Sequence, residues 1–164
     1  MQNNIPQKRI LKREATVLVS STKEEAFDYI SSSEKLPEWL KKVGMIPGAK
    51  HVEELDDSYD KIGQQRKVIF EGGSSAVEQL LTRNFPMNYS YKINQFSNFL
   101  KNMSDAAYGE LFFDTVDAQT RITWVYSFTY KNVLARMFLS LFLSVSYKKF
   151  MAISLRNAKG ELEK

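Results

Sequence analysis

The chain has 164 residues, of which 43% are hydrophobic, 26% charged and 13% aromatic, and its formal net charge is +4. That length suits one domain with a continuous core, and the lack of cysteine excludes disulfides and thiolate metal sites. No zinc-finger spacing, basic helix, ribonucleoprotein motif, dinucleotide fingerprint or phosphate-binding loop occurs, which argues against nucleic acid and nucleotide ligands.

Residues 1–9 are polar and basic and read as a flexible tail, ahead of a single domain over residues 10–160. Nothing in them resembles an apolar export signal, so a cytoplasmic location is expected. Ile10 to Ser20 is rich in β-branched residues and predicts a strand. Thr22-Lys23-Glu24-Glu25 is a capping box, in which a hydroxyl and a carboxylate satisfy the free amides of a helix start. The helix it opens runs through Ile30 and stops at Ser31-Ser32-Ser33. Glu34 to Lys41, with Pro37 and Trp39, reads as a second short helix.

Strand-like runs then alternate with turn residues, predicting strands near 46–55, 64–71, 76–84, 88–96, 106–116 and 120–131. With the first strand this makes seven in an antiparallel meander. In the last of them Ile122, Trp124, Tyr126, Phe128 and Tyr130 alternate with polar residues, so one face is buried and aromatic. Asn132 is a good helix N-cap, and no glycine or proline interrupts the chain from Val133 to Lys159 before Gly160.

This long C-terminal helix carries two apolar stripes, one with Ala135, Phe138, Leu139, Phe142, Phe150 and Ile153 and one with Met137, Leu141, Met151 and Leu155. A helix lying on a sheet needs only one. Its most apolar window, Val133 to Val145, is too short for a membrane span and is interrupted by Arg136, Ser140 and Ser144. The surplus fits either a core helix packed beside the two short helices or a second apolar neighbour: a cavity, a partner or a membrane surface.

The segment Gly63-Gln64-Gln65-Arg66-Lys67-Val68, followed by Gly72-Gly73, Glu78-Gln79-Leu80 and Tyr89-Ser90-Tyr91-Lys92-Ile93, resembles a pattern of the START/Bet v 1-like superfamily, which includes polyketide cyclases and lipid-transfer domains. The resemblance covers roughly residues 10–158. It implies an α+β helix-grip fold, in which a seven-stranded antiparallel curved sheet wraps around a long C-terminal helix beside two short helices. It also implies an internal cavity, with Glu71 to Ala76 as a gate-like loop and Ser97 to Ser104, carrying Phe99 and Leu100, at the mouth. The gate and latch sequences of the plant hormone receptors of this fold are absent, so hormone reception is not implied.

Carried over by residue, the resemblance places Arg66, Val68 and Phe70 on one inner face, beside Glu78, Leu80 and Tyr91. A turn centred near Gly73 would pair residues 68 and 78, leaving Arg66 and Glu78 diagonal neighbours. Tyr108, Glu110 and Phe112 share a parity and form a further candidate inner set, although Leu111 and Phe113 make the other parity apolar too. Trp124, Tyr126 and Phe128 complete the sheet's contribution, and Phe138 and Phe142 that of the helix.

A charged pair on an aromatic inner face must be paired or solvated, so Arg66 and Glu78 form either a structural ion pair or a site for a ligand's polar head. His51 is the sole histidine and has no nucleophile elbow near it, and the acids from Glu53 to Asp60 lack calcium-loop spacing. No catalytic residue, metal or cofactor is assigned. The leading expectation is a binding or carrier protein for a hydrophobic small molecule or lipid. A cyclase- or dehydratase-like enzyme using the same cavity and a membrane-associated accessory domain, with transient membrane contact, remain open, as does the oligomeric state.

Overall fold

A computed structural model describes residues 9–164. Except for Arg9, the expected N-terminal tail lies outside the described residues. The elements follow in the order β1 (Ile10–Val19), α1 (Lys23–Ser31), α2 (Leu36–Trp39), β2 (Ala49–Glu54), β3 (Gln65–Phe70), β4 (Ser75–Asn84), β5 (Asn88–Asn94), β6 (Ala107–Val116), β7 (Gln119–Thr129), α3 (Val133–Phe142) and α4 (Lys148–Leu162). A short 3₁₀ turn, Phe99–Asn102, links β5 to β6.

All seven strands form one antiparallel sheet in the order β1-β7-β6-β5-β4-β3-β2. The short loops make each of β2 to β7 pair with its chain neighbour, and β1 closes the far edge by pairing with β7. The sheet curls around the C-terminal helix, as the helix-grip expectation has it. At one end α1 seals the sheet with Phe27, whose ring meets those of Phe85, Tyr89 and Phe113 at 5.2, 5.5 and 5.2 Å. The capping box opens that helix: Thr22 accepts from the Glu25 amide, and Glu25 accepts from the Thr22 amide.

Three sequence expectations need correction. The hairpin between β3 and β4 places Arg66 directly opposite Glu78 and Val68 opposite Ala76, rather than pairing residues 68 and 78. Gly72 and Gly73 both take left-handed backbone, with φ of 85° and 87°, and turn the chain in a hairpin centred one residue earlier than expected. The final helix runs past Gly160 to Leu162, because one glycine lowers helix propensity without ending a helix packed on a sheet.

The third correction concerns β6. Gly109 lies between Tyr91 and Tyr126 on the inner face, so Ala107, Leu111 and Phe113 point inward with it. Tyr108, Glu110 and Phe112 therefore face the outer side of the sheet. Gly109 is required where it is: a Cβ there would overlap the ring of Tyr91, which lies across it.

Between α3 and α4 the helix widens into one π-helical turn, Leu143–Tyr147. Its buried seam recurs every fourth residue: Ala135, Leu139, Leu143, Tyr147, Met151 and Leu155. In a regular helix each four-residue step drifts by about 40°. The wider turn takes back part of that drift and keeps the seam on the sheet.

Candidate ligand cavity

Between the inner face of the sheet and the helix the side chains leave a cavity of about 410 Å³. The sheet contributes Arg66, Phe70, Ala76, Glu78, Tyr89, Tyr91, Ile93, Trp124, Tyr126 and Phe128. The helix contributes Phe138, Phe142, Ser146, Tyr147 and Phe150, while Leu36, Trp39 and Leu40 form the wall at α2. The lining is aromatic because Tyr89 and Tyr91 of β5 and Trp124, Tyr126 and Phe128 of β7 alternate onto the inner face and the helix answers with rings of its own. Tyr147 packs at 4.9 Å from Tyr126 and 5.3 Å from Phe128, and Trp39 meets Trp124 edge-on at 5.6 Å.

The polar part of the wall is built around Arg66. Its Nε donates to Glu78 Oε2 at 2.8 Å, and its Nη2 lies 2.7 Å from the same oxygen. Nη1 donates to the Ser31 carbonyl and the Ser33 hydroxyl, both at 3.2 Å, and the guanidinium rests on the ring of Tyr59 at 4.2 Å. Burial by itself would lower the pKa of Arg66, but the Glu78 carboxylate and its hydrogen bond, together with Tyr59 and Tyr89, offset it and the net direction is upward. The pair is thus a fixed, internally compensated charge, held by the turn between α1 and α2.

Elsewhere the tyrosines are neutral donors. Burial pushes Tyr89, Tyr91, Tyr126 and Tyr147 above the ordinary phenol value, so each keeps its proton near neutral pH. Tyr91 accepts from Trp124 Nε1 at 3.2 Å, and Tyr89 donates to the Ile30 carbonyl at 3.3 Å. Among the described residues no three potential ligands come together to hold a metal ion.

The profile of the polyketide cyclase / dehydrase and lipid transport family matches residues 11–163. The chain belongs to this family. Solved structures place the polyketide cyclase / dehydrase and lipid transport member in the Bet v 1-like fold. Ginseng major latex-like protein 151, from Panax ginseng, superposes with a TM-score of 0.74 at 11% identity, over 94% of this chain and 99% of that one. Ara h 8.0201 gives 0.65 at 12% identity, over 93% and 97%. Protein CV1439 from Chromobacterium violaceum gives 0.63 at 9%, also over 93% and 97%. At such identities the likeness is one of fold. No curated protein sequence gives a significant match.

In this cyclase and lipid-transport family member, the residues expected at the site divide three ways. Arg66, Phe70, Glu78, Tyr91, Trp124, Tyr126, Phe128, Phe138 and Phe142 all line the cavity. Val68 and Leu80 share the inner face but are buried in the core. Tyr108, Glu110 and Phe112, on the outer face, do not reach it. The sequence reading missed Tyr89, Trp39 and Tyr147. Tyr89 was findable, since it shares the parity of Tyr91; Tyr147 needed the four-residue seam, and Trp39 the tertiary fold.

At the mouth, Phe99 stands edge-on to Phe138 at 6.1 Å and to Phe142 at 5.7 Å. The β3–β4 hairpin is tied to the same loop, because Ser75 donates to Ser97 Oγ at 2.7 Å and accepts from the Ser97 amide at 3.0 Å. His51 lies exposed on edge strand β2, 3.4 Å from Glu53, and does not line the cavity.

Proposed function

We propose that this chain binds a hydrophobic small molecule or lipid in the cavity between sheet and helix. The observation that carries the reading is the cavity itself: about 410 Å³, walled by aromatic and aliphatic side chains, with one compensated ion pair among them. Small-molecule sites are of this kind, largely apolar with a few placed polar groups, and span roughly 300–1,000 Å³. Native mass spectrometry of protein purified without detergent tests the proposal. A co-purifying small molecule, or uptake of an added apolar probe with one-to-one stoichiometry, is the expected result; a chain that takes up neither contradicts it.

A second reading, contact with a membrane during loading, is favoured by the solvent side of the same helix. Leu134, Met137, Phe138, Leu141 and Val145 recur at helical spacing and are between 47% and 77% exposed. No acidic residue occurs from Lys131 to Gly160, whereas Arg136, Lys148 and Lys149 are exposed there. The helix Val133–Leu162 is also long and apolar enough, by length and composition, to cross a membrane, although its buried seam is committed to the sheet. An apolar stripe flanked by cations suits the surface of an anionic bilayer. Flotation with phosphatidylcholine/phosphatidylserine vesicles at low salt should recover the parent and lose the Met137→Ser, Leu141→Ser variant. A parent that stays at the bottom of the gradient removes this reading and leaves the cavity proposal intact.

A further inference from the structure

On the reading that the cavity takes an apolar ligand, its polar wall constrains the chemistry of that ligand's polar end. Both contacts from Arg66 to Glu78 converge on Oε2. No described donor reaches Oε1, although Glu78 lines the cavity. Arg66, in contrast, is nearly saturated: Nε is bound to Glu78, Nη1 to Ser31 and Ser33, and Nη2 faces Oε2. It is 1% exposed. What the ion pair offers the cavity is therefore a carboxylate acceptor and not a free guanidinium fork.

Trp39 also lines the cavity, but its indole Nε1, which has no hydrogen-bond partner among the described residues, is itself closed off from the cavity space and offers a ligand nothing. The charged group the wall leaves open is thus an acceptor, and the remaining polar atoms around it are neutral tyrosine hydroxyls such as that of Tyr91. A buried polar group left unmatched is costly, and a matching ligand removes that cost.

We infer that the cavity selects uncharged ligands whose buried polar end is a hydroxyl, donating to Glu78 Oε1, and disfavours ligands that end in a carboxylate. A hydroxyl both donates and accepts, so it meets Glu78 and leaves a lone pair for a neighbouring donor. A carboxylate only accepts; it would face the Glu78 oxygen with like charge, while the guanidinium that might receive it is already engaged. A primary ammonium could donate, but its charge would be opposed by Arg66 beside the acceptor.

The test compares decan-1-ol, decyl methyl ether and decanoate in calorimetric or tryptophan-fluorescence titrations of the whole chain. The titrations run at about pH 8, where a free carboxylic acid is ionised. The alcohol should bind at least tenfold more tightly than decanoate, and more tightly than the ether, which lacks the donor. In Glu78→Gln the counter-charge of Arg66 is removed, so the preference for alcohol over decanoate should fall at least tenfold. Decanoate or the ether binding as well as the alcohol overturns the inference while the apolar-cavity reading stands. If none of the three binds, the cavity reading itself falls and takes the inference with it. An unchanged alcohol-to-decanoate ratio in a folded Glu78→Gln variant overturns the role of Glu78. The wild-type comparison stands alone if that variant does not fold.

Discussion

At the scale of single residues, Arg66 and Glu78 show why removing one charge differs from removing two. Arg66→Met strands the Glu78 carboxylate in a wall from which water is largely excluded, at a cost of about 3–5 kcal/mol. Adding Glu78→Gln relieves the stranded charge, so the double variant should recover most of that stability. Urea denaturation of the parent and the two variants checks this; a double variant no more stable than the single one contradicts it. The pair was legible in the sequence because the family resemblance carried by G-x-x-R and E-x-L implies that both side chains point inward, and period two agrees. Their direct opposition was not, since two consecutive glycines allow the hairpin to be centred on either. In β6 hydrophobicity could not decide the face, because Tyr108 and Phe112 rival Leu111 and Phe113. Gly109 decides it: the ring of Tyr91 needs a residue without a side chain beneath it.

At the scale of elements, the C-terminal helix divides its work between its faces. The seam from Ala135 to Leu155 holds the sheet, the Phe138, Phe142 and Tyr147 side lines the cavity, and the Leu134, Leu141 and Val145 side is left to solvent. The two apolar stripes in the sequence announced a surplus, and the exposed Leu141 and Met137 are its outcome. The π turn had no such announcement, as neither glycine nor proline marks it. A π turn amounts to one extra residue in a regular helix, which makes a prediction possible. Deleting Val145, which is 64% exposed within that turn, should restore regular pitch and leave a folded protein. Deleting Ala152 in regular α4 should instead turn Leu155 and Ala158 away from the sheet by about 100° and lower the melting temperature far more. Thermal melts followed by circular dichroism compare the two; equal losses would contradict the account.

At the scale of the whole molecule, an aromatic interior couples stability to alkaline pH. Burial raises Tyr59, Tyr89, Tyr91, Tyr126 and Tyr147 above the ordinary phenol value of 10.0. A group whose folded-state pKa lies above its unfolded value contributes stability that is fully present below the unfolded value. That stability is lost as pH rises through the folded one. These tyrosines should therefore stay protonated above about pH 10 and ionise together with unfolding, giving a steep absorbance step near 295 nm that coincides with the loss of circular dichroism. Gradual ionisation well before unfolding would show that the rings are open to solvent. Element order, read with the family resemblance, made the helix-grip architecture legible, since strands, turns and caps are local signals. Cavity walls supplied by distant segments, such as Trp39 beside Trp124, exist only once the chain is folded. The central claim, that the space between sheet and helix receives a ligand, is tested most directly by filling it. Ala76 is buried, lines the cavity and stands opposite Val68 on the inner face, so Ala76→Phe places a ring in the empty volume. Titration of parent and variant with the uncharged dye Nile red should show saturable one-site binding in the parent and at least a tenfold loss in a variant that remains folded. Undiminished binding by the folded Ala76→Phe variant would contradict the account.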